Sequence, residues 1–283
     1  METHKLPAQN GPSFASDSSV TVTAAQVADL LAGRLPAEVR RKPGRAIVRT
    51  DLTDGEGGRR RVFMKVYGWG GGRWDRLRGM LSRWRRGGSP AFIESRNLKW
   101  AATQGIAVPR LISAQDFTDR GLAFESVLIT EELTGMSPLN VAIQRAVDTL
   151  ARPALRRWKA DLADQLARLT ELLHQSRRYH KDLYLCHFLV PDEAVTDQRP
   201  LAGRLRLLDF LRLKNHPWNW RRWQVKDLAQ LLYSSALPGI RAVDRLRFMH
   251  AYLGCPKLDR QGRRLLRRVE KKAARYRRQN RGR

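Results

Sequence analysis

The sequence predicts a two-lobed α+β fold, with a small β-rich N-terminal lobe carrying one main helix and a larger helical C-terminal lobe. Three observations predict it. Short apolar runs separated by turn residues crowd the chain up to residue 133, helical periodicity dominates afterwards, and acidic residues stand where the two patterns meet. At 283 residues the chain is long enough to bury a substantial core.

Residues 1–20 are rich in Ser, Thr, Asn and Gly and are expected to be disordered. The N-terminal lobe is expected over 21–133. In it, AIVRTDL and RRVFMKVY flank Thr53-Asp54-Gly55-Glu56-Gly57-Gly58, the pattern of a β-hairpin whose turn is supplied by Gly and Asp. The second strand contains Lys65. A basic, glycine-rich segment runs from Gly68 to Gly88, after which Ser89-Pro90 opens a helix closed by Gly105, with Glu94 in its first turns. VPRLISA and SVLITEEL read as strands, the second ending at Glu131-Glu132-Leu133, which suits a connection between lobes.

The C-terminal lobe is expected over 134–256. Leu155, Trp158, Leu162, Leu166, Leu169 and Leu173 recur at spacings of three and four, placing one apolar stripe on a long helix that runs straight into His180. A strand at about 205–208 precedes Asp209, and a further helix is expected to begin at Asp227, with Leu228, Leu231 and Leu232 facing inward. Residues 257–283 form a basic C-terminal tail, at most half-helical in pattern, with thirteen basic and two acidic residues.

Charge narrows the partners. Fifty-four Lys and Arg against 27 Asp and Glu give a formal net charge of +27, which points to a polyanion: nucleic acid, anionic lipid or a phosphorylated glycolipid. No helix-turn-helix, zinc or RNA-module signature is present, so specific nucleic-acid recognition is not expected. No apolar run approaches the length needed to cross a bilayer, and the first twenty residues lack the apolar core of a secretory signal, so a cytoplasmic protein is expected. Cys186 and Cys255 stand in no metal or disulfide spacing and read as reduced thiols.

The chemistry is concentrated in HKDLYLCHFLV, His180 to Val190, followed about twenty residues on by LLDFLR around Asp209. Phosphoryl transfer needs one carboxylate to orient the attacking hydroxyl and another to hold magnesium; Asp182 and Asp209 are those candidates. Asp182 alone would also read as a turn or capping aspartate. An acidic residue ending the apolar run Leu205-Arg206-Leu207-Leu208 has few structural reasons to be there, and magnesium ligation is the best.

Lys65 stands in the apolar strand Val62-Phe63-Met64-Lys65-Val66-Tyr67, where a charge requires a partner or an outward face. Glu94 is the natural partner, and a strand lysine held by a helix glutamate grips the α- and β-phosphates of a nucleotide in kinases. The connection Glu131, Glu132 and Leu133 is assigned to the same nucleotide site. His187 stands five residues after Asp182, where protein kinases place a magnesium-binding Asn; an imidazole there either ligates the metal or supports the loop. Asp227 is assigned to bracing that loop from a helix start.

Other signatures are missing. GxxxxGK[ST] and HExxH do not occur, and Gly68, Gly70, Gly71 and Gly72 follow Lys65, the wrong side for a phosphate-covering loop. That loop has to lie before Ala46, where Arg40-Arg41-Lys42-Pro43-Gly44 offers charge and one glycine. Only FLRLKNHPWNWRRWQVK separates Asp209 from Asp227, with no long platform for docking a peptide, which argues for a non-protein acceptor.

With these residues in view, VFMKVYGWGG, the helix bearing Glu94, ITEEL, HKDLYLCHFLV, LLDF and RRWQVKDLAQLLYSSALPGI together resemble the bacterial lipopolysaccharide kinase family, of Kdo/WaaP type, from about Ala46 to Leu253. The resemblance implies a protein-kinase-like fold and ATP- and magnesium-dependent phosphorylation of an inner-core heptose or Kdo sugar. It also implies a catalytic Asp182, a nucleotide-binding Lys65, and a position on the cytoplasmic face of the inner membrane. The partners expected are therefore the core glycolipid and the anionic membrane surface, with Arg73, Arg76, Arg78, Arg83, Arg85 and Arg86 facing either of them or simply solvated. The competing readings are a kinase for another small or protein hydroxyl, and a catalytically silent kinase-like protein that uses its basic surface on membrane or nucleic acid.

Overall fold

The computed structural model describes residues 21–53, 58–69, 88–117, 124–197 and 199–280. The expected disordered 1–20 and the arginines from Arg73 to Arg86 lie outside the described residues. Helix α1, Ala24–Ala32, starts at a capping box of Thr23 and Gln26. Strands β1 (Glu38–Lys42), β2 (Gly44–Thr53) and β3 (Arg59–Trp69) follow, then helix α2 (Pro90–Thr103), β4 (Leu111–Asp116) and β5 (Ser126–Glu131). The five strands form one antiparallel sheet in the order β1-β2-β3-β5-β4.

Alternation sorts the two faces of this sheet. Val48, Val62, Met64, Val66, Val127 and Ile129 pack with Val27, Leu30 and Leu31 of α1. Tyr67 and Leu128 belong to the other cluster, with Ala91 and Leu98 of α2. Because Lys65 lies two residues from Tyr67, it shares the α2 face, and its strand is third of five, flanked by β2 and β5. The exposed edge-strand reading of Lys65 is thereby excluded. Helix α2 is started by Ser89, whose side chain accepts from the Phe92 amide, and by Pro90; it ends at Gln104 with Gly105 next at φ 73°.

The C-terminal lobe contains β6 (Met136–Pro138), α3 (Leu139–Thr149), α4 (Arg152–Gln175), β7 (Arg178–Tyr179), β8 (Phe188–Pro191), β9 (Arg206–Leu207), β10 (Lys214–Asn215), α5 (Trp220–Ser234), α6 (Ala242–Leu253) and α7 (Arg260–Asn280). Two small sheets, β6-β8-β9 and β7-β10, hold the loops between helices. The α4 stripe is buried as its periodicity predicts: Trp158, Leu162, Leu166 and Leu173 join a cluster that reaches from Tyr67 to Phe210 and Leu213, with Leu155 and Leu169 packed against it.

Three expectations are corrected here. Helix α4 does not run into His180; it stops at Gln175, and Arg177 turns the chain at φ 53° into β7. Helix α5 begins at Trp220 rather than Asp227, which puts Asp227 mid-helix and fully buried. The basic tail is helical over 21 residues, with Leu265, Val269, Ala273 and Tyr276 forming the stripe that packs with Leu228 and Ala229 of α5. Its charge density hid a regular apolar spacing.

Candidate active site

Glu94 collects the cleft end of the N-terminal lobe. Its carboxylate accepts from Lys65 Nζ at 2.6 Å, from the Tyr67 hydroxyl, and from the Phe210 amide at 3.2 Å. Glu94 is 1% exposed, so these donors stand in for the water it has lost. Lys65 Nζ also lies 3.4 Å from Asp209 Oδ1. Burial works against the Lys65 charge, yet Glu94 and Asp209 outweigh it and raise its pKa, so the ammonium is held charged.

Asp209 has φ 64° and ψ 60°, a left-handed conformation uncommon for a residue other than glycine. The segment after it is clamped by Asn97 of α2, whose amide donates to the Phe210 carbonyl at 2.8 Å and the Leu213 carbonyl at 3.1 Å. Burial would raise the Asp209 pKa, but Lys65, His187 and Arg45 hold it below the ordinary carboxylate value. Arg45 Nη1 is 3.9 Å from Asp209 Oδ2. Arg45 follows the Pro43-Gly44 turn of the β1–β2 hairpin, with Gly44 at φ 73°, so the hairpin expected to cover the nucleotide delivers an arginine to the site.

The loop bearing Asp182 is held by one face of α5. Asp227 accepts the His180 amide at 2.7 Å and the Lys181 amide at 2.8 Å; Gln230 accepts the Leu183 amide at 3.0 Å; Ser234 accepts the Leu185 amide at 3.0 Å. Positions 227, 230 and 234 recur at helical spacing, which explains why KDLAQLLYSS is polar on one side while Leu228 and Leu231 are core. Lys226 Nζ and Gln230 Nε2 both donate to the Lys181 carbonyl, and Lys181 itself takes φ 67°. His180 Nε2 donates to the Leu208 carbonyl at 2.9 Å; Nδ1 is buried without a partner, and burial holds the ring pKa down.

His187 links the two aspartates. Its Nδ1 is 2.7 Å from the Asp182 carbonyl, which can only accept, so Nδ1 carries the hydrogen and the neutral ring presents the Nε2 lone pair. Nε2 lies 3.9 Å from Asp209 Oδ2. Burial disfavours the charged ring, but hydrogen bonds with Cys186 and the Asp182 carbonyl, and the charge of Asp209, raise its pKa overall. The Asp182 carboxylate is gripped by Arg212, whose Nη1 is 3.0 Å from both oxygens. No group of three or more His, Cys, Asp or Glu able to hold a metal occurs among the described residues. Asp209 with His187 Nε2 instead fits a divalent cation that takes its remaining oxygens from substrate phosphates.

The connection residues behave differently. The Glu132 carboxylate pairs with Arg49 and lies 3.9 Å from Arg61, and its amide donates to the Arg61 carbonyl, so its side chain is spent within the sheet. The Glu131 amide donates to the Arg110 carbonyl at 2.9 Å. Tyr67, Arg45, Asn97 and Arg212 were not singled out from sequence. Only Tyr67 carried a local signal, its two-residue spacing from Lys65 on one strand face.

Residues 38–252 match the model of the lipopolysaccharide kinase (Kdo/WaaP) family. The chain belongs to that family. It is therefore a phosphotransferase, and the family implies ATP as its phosphoryl donor. The lipopolysaccharide core heptose(I) kinase WaaP of Pseudomonas aeruginosa is 28% identical over 242 residues, covering 82% of this chain and 81% of that protein. WaaP of Escherichia coli K12 is 32% identical over 136 residues, 46% of this chain and 48% of the relative. A solved structure of WaaP in complex with acyl carrier protein aligns at a TM-score of 0.62 and 27% identity, over 87% of this chain and 90% of that one. The two-lobed kinase-like fold is borne out by that likeness to a Kdo/WaaP-type kinase. No helix of the described residues is long and apolar enough to cross a membrane.

Proposed function

We propose that this chain transfers the γ-phosphate of ATP, with magnesium, to a hydroxyl of a heptose or Kdo sugar in the lipopolysaccharide inner core. The observation that carries the reading is the joining of the two lobes at one point: Lys65 bonded to Glu94 and Asp209, and Asp209 facing His187, which holds the Asp182 main chain. In this reading Lys65, kept charged and aimed by Glu94, holds the α- and β-phosphates, with Arg45 beside it. Asp209 and His187 Nε2 would hold the magnesium ion, with substrate phosphates supplying its other ligands. When bound, the ion neutralises charge on the transferring phosphate. Asp182 orients the acceptor hydroxyl and takes its proton as the oxygen attacks the γ-phosphorus, while the bond from phosphorus to the β–γ bridging oxygen breaks and ADP leaves. Arg212 holds the Asp182 carboxylate in place and is itself available to an anionic group of the acceptor. Glu131, Glu132 and Leu133 contact the base through main-chain groups, because the Glu132 carboxylate is engaged with Arg49.

The acceptor, a lipid-linked sugar, places the enzyme at the cytoplasmic face of the inner membrane as a peripheral protein, in keeping with the +27 charge. The names of the WaaP relatives favour heptose over Kdo. An acyl carrier protein, the partner of the solved relative, is carried over as a second binding partner. A cavity of about 400 Å³ lined mainly by apolar side chains such as Leu162, Leu166, Phe248 and Met249, with charged residues including Lys159, Asp244, Arg245 and Glu270 also in its wall, suits an acyl chain.

The test is transfer of phosphate from ATP to dephosphorylated core glycolipid, with the product sugar located by mass spectrometry. Asp182→Asn should lower turnover by about 10²–10⁴-fold while ATP still binds. Unchanged turnover removes Asp182 from its role, and a protein that binds ATP but phosphorylates no core sugar defeats the proposed function.

A further inference from the structure

Outside the catalytic cleft, α5 and α7 border an open hollow of about 450 Å³ lined almost entirely by cations: Arg221 and Arg222 from α5, and Arg268, Lys271, Lys272 and Arg275 from α7. Val225 is its one uncharged lining residue. The α7 residues are spaced three, one and three apart, so they form a single helical stripe beside the apolar residues that pack on α5. Among the described residues none of the six cations has an acidic partner; three lie over rings, Arg221 on Trp220, Arg222 on Trp223 and Lys272 on Tyr276. Five of the six are exposed, so solvent screens their mutual repulsion; together they still set up a local positive potential that favours an anion over a neutral group.

The hollow adjoins the catalytic loop by a continuous path of contacts. Tyr276, next to Arg275 on α7, packs on Tyr233 at 6.0 Å, and Tyr233 packs on Tyr184 at 6.4 Å, two residues past Asp182. Trp223 makes a second link, carrying Lys181 of the loop at 4.8 Å and Arg222 of the hollow at 5.4 Å. Between hollow and loop stands Lys226, whose pKa is lowered first by burial and also by Arg212 and Lys272, so one positive field spans both.

We propose that the α5–α7 hollow is an acceptor subsite that binds phosphate or carboxylate groups of the glycolipid at a distance from the hydroxyl being phosphorylated. The proposal rests on the reading of Asp182 as the residue facing the acceptor. Four of the six lining cations are arginines, which suits them to forked contacts with phosphate and carboxylate oxygens. Anionic groups on the same molecule as the reacting sugar would then hold the acceptor in register, so the hollow governs binding and leaves the chemical step alone.

Arg268, Lys271 and Arg275 are exposed, and the triple variant Arg268→Ala/Lys271→Ala/Arg275→Ala in the full chain should keep the parent's thermal midpoint. With core glycolipid dispersed in neutral detergent, KM should rise at least tenfold with kcat unchanged, and equilibrium binding of the glycolipid should weaken to match. Phosphorylation of a free neutral heptose should be unaltered. An unchanged KM and unchanged binding overturn the proposal. It is equally overturned if only binding to phosphatidylglycerol-containing vesicles, or only binding to acyl carrier protein, is lost. If the parent transfers phosphate to no sugar, the proposed function fails by itself, and glycolipid binding by parent and variant still decides the role of the hollow.

Discussion

Replacing Lys65 with Met tests the logic of the cleft without reference to any substrate. The Glu94 carboxylate would remain, 1% exposed, with two neutral donors, the Tyr67 hydroxyl and the Phe210 amide, and no cation. Stranding one member of a buried pair costs about 3–5 kcal/mol, a large share of a typical total of about 5–15 kcal/mol. For a chain of this size that corresponds to a fall of roughly 6–20 °C in Tm. Asp209 adds little, being less buried and still faced by Arg45 and His187. The second substitution, Glu94→Gln, removes the stranded charge: its oxygen still accepts the Phe210 amide, and its NH2 can donate to the Tyr67 oxygen. Lys65→Met/Glu94→Gln should therefore be more stable than Lys65→Met alone, a reversal that additive losses cannot produce. Urea unfolding of the parent, both single variants and the double variant measures it. A double variant as unstable as Lys65→Met, or more so, refutes the idea that the buried charge sets the cost.

Other outcomes follow from the same structure. Asp227→Ala leaves the His180 and Lys181 amides without their acceptor, at about 1–3 kcal/mol each; denaturation should show the loss, and faster hydrogen exchange should be confined first to those amides. Gly239→Ala should destabilise by at least about 1–2 kcal/mol, because Gly239 is left-handed at φ 78° and a Cβ there overlaps Val147; adding Val147→Ala should restore the steric part in a thermal melt. Burial pushes the Tyr276 hydroxyl up to about 12 from 10.0. A raised pKa means its contribution is intact below pH 10 and lost as pH climbs toward 12, so the parent's Tm should fall more over that interval than that of Tyr276→Phe.

Much of the fold was legible because the signals for it are local. Alternation in RRVFMKVY identified a strand, three-and-four spacing identified α4, and Ser89-Pro90 with Gly105 bracketed α2 within one residue. Two elements were misread for the same kind of reason. Polar residues on one face of α5 displaced its start to Asp227, and the arginines of α7 hid Leu265, Val269, Ala273 and Tyr276. In both, side chains that look like solvent-facing charge are committed to a neighbouring segment.

What the sequence by itself determined is the order of the candidate site residues, Lys65, Glu94, Asp182, His187 and Asp209, together with the class of fold that carries them. The tertiary structure decided their pairings. Lys65 meets Asp209 across 144 residues, and Asp227 meets the His180 amide across 47, contacts that no spacing rule reaches. It also decided that Arg45, Asn97 and Arg212 belong to the site and that α7 closes a cationic hollow on α5. The physical reason is range: backbone periodicity is set by neighbours within a turn, whereas a buried charge takes whichever partner the packed core brings within about 3 Å.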